Sequence, residues 1–279
     1  MRERIGIVVD STLIQSMESA EKANIAVQPL YITKETETLK DYYDITPQEV
    51  YSKQREGASF KTSQPSAGEF AETYERLMSE GKTHIVVFTI SKQLSGTHQS
   101  AVTATQLVEG AKIVVIDTKI TTAQVWNKII SITSDLTVDN FDQKCKEYET
   151  AFDNFGIYAY VGSIEYLKRG GRLSSANALI ANLLNIRPIL ELASAGEVKA
   201  IDKKRSLAKA LEGVISLVKE KNPKRLFVLD TDDQNKELVD KFLEQLSAEF
   251  TGIPIERHTL CSVLGAHVGP EACVVSYEF

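Results

Sequence analysis

The sequence predicts an α/β protein of two domains, and three observations carry that reading. Residues 5–9, 84–90 and 113–116 are continuous apolar runs, separated by stretches of helical periodicity. Runs without polar alternation belong to strands of a parallel sheet covered by helices on both faces. Around Phe155-Gly156 the pattern changes, and residues 189–192 and 198–201 flank a turn signal at Ala195-Gly196, as in a hairpin. The length of 279 residues permits one large domain or two of common size. We therefore expect an N-terminal domain over residues 1–155 with a mainly parallel sheet. A C-terminal α/β domain over residues 156–279 has a mixed or mainly antiparallel sheet, and segments are open to exchange between the two.

In chain order, residues 5–9 form the first strand, ending in Asp10-Ser11-Thr12, and residues 25–31 are a second apolar run. Residues 68–78 read as helix, with Phe70 and Leu77 among its apolar positions. Residues 84–90 are a strand, a helix follows from about 97 to 108, and residues 113–116 form a strand ending in Asp117-Thr118. In the second half, residues 158–162 read as strand and Gly170-Gly171 as a turn. Ser174 or Ser175 then caps a helix that ends near Asn185, because Pro188 bars its continuation. Residues 203–221 form a long amphipathic helix and 236–250 another, while 225–230, 253–259 and 272–279 are strand-like. The chain contains neither an internal repeat nor a low-complexity linker.

Composition narrows the function. A net charge of −6, with aromatics not interleaved among basic runs, argues against nucleic-acid binding, which needs a concentrated positive field. Cys145, Cys261 and Cys273 are an odd number at irregular spacing, which fits a reducing cytoplasm better than a disulfide scaffold. The absence of Cys-x-x-Cys and His-Glu-x-x-His gives no zinc site to expect. The N-terminal apolar run is too short for a secretory core, and no apolar stretch approaches a membrane span. No P-loop, dinucleotide fingerprint after the first strand, or Gly-x-Ser-x-Gly elbow is present. No cofactor is expected.

Four polar-glycine segments look ligand-facing: Thr62-Ser63-Gln64-Pro65-Ser66, Ile90-Ser91-Lys92-Gln93-Leu94-Ser95-Gly96-Thr97, Leu167-Lys168-Arg169-Gly170-Gly171-Arg172-Leu173-Ser174 and Gly265-Ala266-His267-Val268-Gly269-Pro270. In open parallel sheets, ligands bind beyond the carboxyl ends of the strands. Asp10-Ser11, the Ser95 turn and Asp117-Thr118 all follow expected strands. At Ser95-Gly96-Thr97 a helix begins, so unpaired N–H groups and the helix dipole favour an anion. Gly96 lets a ligand approach the backbone, and the Ser95 hydroxyl can donate to it. Plain helix capping explains the same residues, and explains Thr62 to Ser66 equally well. His267, between Gly265 and Gly269, reads as an imidazole in a turn, free to face a ligand or to satisfy a local hydrogen bond. His84, His98 and His258 read as structural. Arg172 offers a fixed charge with bidentate geometry for a carboxylate or phosphate. Lys203, Lys204 and Arg205 fall at the start of an expected helix, where positive charge is not locally favoured. They read as a solvated run or as a surface for a partner or an anionic membrane.

Together with Val9-Asp10-Ser11-Thr12, Ile116-Asp117-Thr118-Lys119 and Leu184-Asn185-Ile186-Arg187-Pro188-Ile189-Leu190, these segments give the chain its resemblance, over nearly its whole length, to the DegV family of fatty-acid-binding proteins. The resemblance implies two α/β domains with a long-chain fatty acid buried between them. It implies a non-catalytic role, in which the carboxylate is offered to a separate ATP-dependent fatty acid kinase and the acyl-phosphate product is held. It places Thr62, Ser95 with Gly96, His267 and Arg172 at the carboxylate, and Arg205 on the surface that meets the kinase or membrane. Three positions depart from the family's pattern. Thr121-Thr122-Ala123-Gln124-Val125-Trp126 is bulkier than the usual glycine-containing stretch, His98 replaces a common Tyr, and Ser163-Ile164 replaces Thr-Leu. The first bears on acyl-chain preference.

A fatty acid is energetically reasonable. Burying about fifteen methylenes gains roughly 12 kcal/mol gross, before several kcal/mol of association cost. Residues 178–184 are aliphatic enough to line a tail or to be ordinary core. The competing reading is an enzyme for a small acyl or phosphorylated substrate, with Ser95 as nucleophile and His267 as its base. It lacks a third, orienting group.

Overall fold

A computed structural model of the chain describes residues 4–172, 186–192, 196–231 and 236–279. The chain divides into two compact units. One comprises Met1–Tyr31, Leu39–Asp44 and Ser63–Asp153, the other Ile32–Thr38, Ile45–Thr62 and Asn154–Phe279. We call them the parallel unit and the mixed unit after their sheets.

In the parallel unit, β1 (Ile5–Asp10), β2 (Ala26–Gln28), β6 (His84–Thr89) and β7 (Lys112–Asp117) lie in the order β2-β1-β6-β7. All three pairings are parallel. Helices α3 (Ala67–Ser79) and α4 (Thr97–Ala104) bury one face through Phe70, Tyr74, Ala101 and Ala104 against Val8, Ile85 and Val87. On Phe88 pack the rings of Phe152 and of Tyr148, the last residue of α6 (Phe141–Tyr148). Residues buried on both faces explain why β1 and β6 read as unbroken apolar runs, while the edge strand β7 is apolar but only partly buried. The unit also holds α1 (Met17–Ala23) and α5 (Gln124–Ile132), which the apolar periodicity had not revealed. The strand order reverses between β1 and β6, so the carboxyl ends of those two strands form the switch point of the sheet.

The mixed unit has six strands: β8 (Phe155–Val161), β9 (Arg187–Leu192), β10 (Val198–Lys204), β11 (Arg225–Asp230), β12 (Ile255–Thr259) and β13 (Ala272–Glu278). Their order is β10-β9-β8-β13-β11-β12. Every pair is antiparallel except β11 with β12. Helices α8 (Leu207–Lys219) and α9 (Lys236–Glu249) pack Leu211, Val214, Phe242 and Leu246 onto Tyr158, Val228 and Val275. The unit also takes in α2 (Pro47–Arg55), from the N-terminal half of the sequence. A capping box at Thr46 starts it, with Pro47 in the first turn. Most of a small sheet ordered β4-β3-β5, from β3 (Tyr31–Lys34), β4 (Glu37–Lys40) and β5 (Lys61–Ser63), belongs here too.

The α/β class and the two sheet types agree with the sequence reading, and three local expectations need correction. Lys203 and Lys204 are not at a helix start but end strand β10, while Arg205 precedes Ser206, whose hydroxyl caps α8. The apolar periodicity of α8 holds only from Leu207 on, and the residues one turn upstream are held extended by pairing with β9. Gly170-Gly171 is not a free turn: Gly170 ends helix α7 (Glu165–Gly170), and Gly171 caps it at φ +69°. His267 lies not in a glycine-flanked turn but in the last turn of α10 (Ser262–Val268). The expected helix after Ser174 and the aliphatic stretch 178–184 lie outside the described residues.

Candidate functional site

The candidate residues fall into two sets, one in each unit. In the parallel unit the set is built at the switch point. Asp10, fully buried, accepts from Thr12 N at 2.9 Å and Thr12 Oγ1 at 2.6 Å through one oxygen, and from Ile90 N at 2.5 Å through the other. It thereby fastens the end of β1 to the end of β6. Burial pushes its carboxyl up to about 6, against the pull of those hydrogen bonds. Beyond Ile90 the chain turns on itself, with Leu94 N and Ser95 N donating to Ser91 O. That turn delivers Ser95 and Gly96 to the start of α4. Gly96 is the N-cap and has no side chain to cap with. Ser95 Oγ accepts from Thr97 N at 3.3 Å and lies 2.9 Å from Thr97 Oγ1. The hydroxyl therefore contributes to capping while sitting beside the donor-rich first turn. A Cβ on Gly96 would collide with the Gln64 side-chain amide, whose Nε2 donates to Ser100 Oγ at 3.0 Å. Gln64 thus lies across the helix start. Ser66 next to it caps α3 in a full capping box, so within Thr62 to Ser66 the capping reading holds for Ser66.

In the mixed unit, β5 carries Thr62 and α10 carries His267, and Thr62 Oγ1 lies 2.8 Å from His267 Nε2. Two residues of α2 hold α10 in place. Tyr51, 1% exposed, donates to Leu260 O at 2.5 Å and to Cys261 O at 3.2 Å, and its ring occupies the space a Cβ on Gly265 would need. Gln54 Nε2 donates to Gly265 O at 3.1 Å. On the other side, a Cβ on Gly170 would overlap His267 Nδ1. The Gly170 position therefore admits the ring, a role for this glycine other than turn formation.

The protonation of His267 follows from this packing. Burial lowers its pKa to about 4, and the Arg172 guanidinium adds to the effect. The ring is neutral at pH 7 and carries one N–H. On Nδ1 that hydrogen would be a buried donor without a partner among the described residues. On Nε2 it donates to Thr62 Oγ1 and leaves only a lone pair on Nδ1, and orphaned donors are the rarer state. His267 therefore donates to Thr62, which frees the Thr62 hydroxyl hydrogen for an oxygen acceptor. Arg172 is exposed, and its Nη1 donates to Gly170 O at 2.5 Å.

The structure thus brings Thr62, His267 and the Arg172 charge together, and separately Ser95 with Gly96. Lys203 and Arg205 are exposed, and Lys204 pairs with Asp202 at 2.8 Å. The structural reading fits the other histidines. His84 stacks edge-on against Phe141, His98 Nδ1 is 3.1 Å from Thr89 Oγ1, and His258 stacks on Phe227. Sequence reasoning missed Tyr51, Gln54 and the clamp formed by Asp10. The Thr46-Pro47-Gln48-Glu49 capping box was the signal for α2. Among the described residues, no group of three or more His, Cys, Asp or Glu side chains is arranged to hold a metal ion, and no helix is long and apolar enough to cross a membrane.

A parallel sheet with donor groups at its switch point and a mixed sheet with a part-buried hydroxyl–imidazole pair define a two-unit α/β protein. The chain belongs to the DegV family, whose model matches residues 4–279. It is 30% identical to a DegV domain-containing protein of Listeria monocytogenes, over 100% of this chain and 99% of that one. A Thermus thermophilus DegV family protein described for its fatty acid binding is 29% identical with a TM-score of 0.84, covering 99% of this chain and 100% of that one. A stearic-acid-binding protein of Eubacterium ventriosum is 25% identical with a TM-score of 0.87, covering 98% of each chain.

Proposed function

We propose that this chain binds a long-chain fatty acid and presents its carboxylate to a separate ATP-dependent fatty acid kinase, holding the acyl-phosphate product. Thr62, Ser95, Gly96, His267 and Arg172 supply the carboxylate's partners. The observation that carries this reading is the 2.8 Å contact between Thr62 Oγ1 and His267 Nε2, because a neutral ring donating from Nε2 leaves the threonine hydroxyl hydrogen for an acceptor. A carboxylate accepts hydrogen bonds only. Hydroxyls, backbone N–H groups at a helix start and one guanidinium answer the cost of removing its charge from water. The fatty acids named for the Thermus and Eubacterium relatives support the ligand class.

The role is non-catalytic on this reading. A histidine with a pKa near 4 is a weak general base at neutral pH, and the Ser95 hydroxyl is engaged with Thr97. Both features disfavour Ser95 as nucleophile and His267 as base. Lys203, Lys204 and Arg205 form the proposed surface for the kinase or, transiently, for an anionic membrane in the cytoplasm.

Denaturing extraction of the purified protein followed by mass spectrometry tests the ligand. A co-purified long-chain fatty acid is the expected outcome. Absence of any acyl species, together with no uptake of added fatty acid by emptied protein, refutes the proposal. Ser95→Ala is expected to slow phosphorylation of the bound acid by the kinase at least tenfold with a smaller loss of binding. Unchanged phosphorylation would remove Ser95 from the carboxylate.

A further inference from the structure

Three side-chain oxygens are buried without hydrogen-bond partners among the described residues inside one four-residue stretch of the parallel unit: Thr121 Oγ1, Thr122 Oγ1 and Gln124 Oε1. Their residues are 5%, 3% and 1% exposed. Among the described residues no other stretch of that length holds more than one such atom. Gln124 Nε2 donates to Thr121 O at 2.9 Å, which fixes the amide and leaves its oxygen bare. Thr122, a β-branched residue, sits at φ +86°, a conformation that such residues rarely adopt.

The stretch lies at the carboxyl edge of the parallel sheet. Thr118 Oγ1 donates to Thr89 O and to Ile120 O, and Ser91 N donates to Ile120 O at 2.9 Å. Ser91 O in turn accepts from Ser95 N. Two backbone hydrogen bonds therefore link the start of this polar stretch to the turn that carries Ser95.

Native proteins rarely leave buried polar atoms unpaired, and each one left so is destabilising. What would pair all three is constrained by their chemistry. The Gln124 oxygen only accepts, while the threonine hydroxyls both donate and accept. A carboxylate offers no donor to Gln124, and a methylene chain satisfies none of the three. A neutral hydroxyl group satisfies both kinds.

Resting on the fatty-acid reading above, we propose that Thr121, Thr122 and Gln124 form a subsite for a hydroxyl on the acyl ligand. The preferred ligand of this chain is then a hydroxylated long-chain fatty acid. Such a group replaces water that would otherwise fill the same positions, and the experiment separates the two sources.

Delipidated protein is titrated calorimetrically with stearate and with monohydroxylated stearates bearing the hydroxyl near the carboxylate, at mid-chain and near the methyl end. At least one hydroxylated acid is expected to bind about tenfold tighter than stearate, the scale of one neutral hydrogen bond. In Thr121→Val and Gln124→Met the preference inverts, because an apolar replacement favours the plain chain. Melting curves confirm that the variants fold, and the wild-type comparison stands without them. If stearate binds at least as tightly as every hydroxylated acid, the three oxygens hold ordered water only and the subsite is overturned. If no acid binds in either form, the fatty-acid reading falls, and the subsite with it.

Discussion

The two units hold their candidate residues by opposite means. In the parallel unit, Ser95 and Gly96 are placed by main-chain geometry within a few residues, and by a buried carboxylate that joins two strand ends. In the mixed unit, His267 is placed by side chains that arrive from some two hundred positions away, Tyr51 and Gln54 on α2. The first arrangement tolerates change in its surroundings, because the turn carries its own hydrogen bonds. The second depends on a packed bracket, and loss of that bracket releases both the helix and its histidine. Three substitution experiments can break or sharpen this contrast.

The largest effect is expected at Tyr51. Truncating a fully buried aromatic costs about 3–5 kcal/mol, so Tyr51→Ala should lower the denaturant midpoint steeply and disconnect His267 from Thr62. Tyr51→Phe keeps the ring and removes the hydroxyl that donates to Leu260 O and Cys261 O, for about 1 kcal/mol. Ser91→Ala, the local counterpart in the parallel unit, should also cost only about 1 kcal/mol: it removes the hydroxyl that accepts from Gln93 N at 3.2 Å, while the backbone oxygen that accepts from Leu94 N and Ser95 N still closes the turn. Equal losses for Tyr51→Ala and Ser91→Ala would erase the distinction.

Next comes acid response, where the two units have opposite signs. Asp10 is raised from 3.8 to about 6. The folded state therefore binds the proton more tightly than the unfolded chain, and this contribution is full below pH 3.8 and lost as pH rises through about 6. His267 is lowered from 6.5 to about 4. Its contribution is present above pH 6.5 and lost as pH falls through about 4. Each amounts to about 3 kcal/mol across its window, and in the wild type they largely cancel between pH 4 and 6. His267→Gln should expose the Asp10 slope, with stability falling as pH rises. Asp10→Asn should expose the His267 slope, with stability rising. Urea unfolding at half-unit pH steps reads both, and parallel slopes in the two variants would show that these groups do not govern the window.

The same contrast explains what the sequence revealed. Strands β1 and β6 were legible because burial on both faces writes an unbroken apolar run into adjacent residues, and the edge strand β7 because its residues 113–116 are all apolar though only partly buried. The Ser95 turn was legible because its hydrogen bonds are local. The α10 helix was not, because Gly265 and Gly269 look like turn residues. In the fold, the absence of a side chain on Gly265 makes room for the Tyr51 ring, and no local pattern records a partner so distant. The Lys203 and Lys204 error has a related origin. Helical periodicity downstream was stronger than the strand signal, and only pairing with β9 reveals the strand. The clamp made by Asp10 was half visible: its place after β1 could be read, its burial could not.

The smallest effects separate two glycines with similar motifs. In Gly96→Ala the new methyl meets the end of the Gln64 side chain, an exposed group that can swing away. The φ of −72° suits alanine, so stability should change by less than about 0.5 kcal/mol. Loss of the Gln64–Ser100 hydrogen bond should be the main structural trace. In Gly170→Ala the methyl meets the His267 ring, which Thr62 and the α10 backbone hold in place. Alanine gains about 1 kcal/mol of helix propensity over glycine in α7, but overpacking costs about 1–3 kcal/mol. A net loss of about 1 kcal/mol is expected, with a raised His267 pKa as the ring moves toward water. NMR titration of the imidazole separates the outcomes. A His267 that still titrates near 4 in Gly170→Ala would mean the ring is not held against α7, and the bracket would then rest on Tyr51 and Gln54 alone.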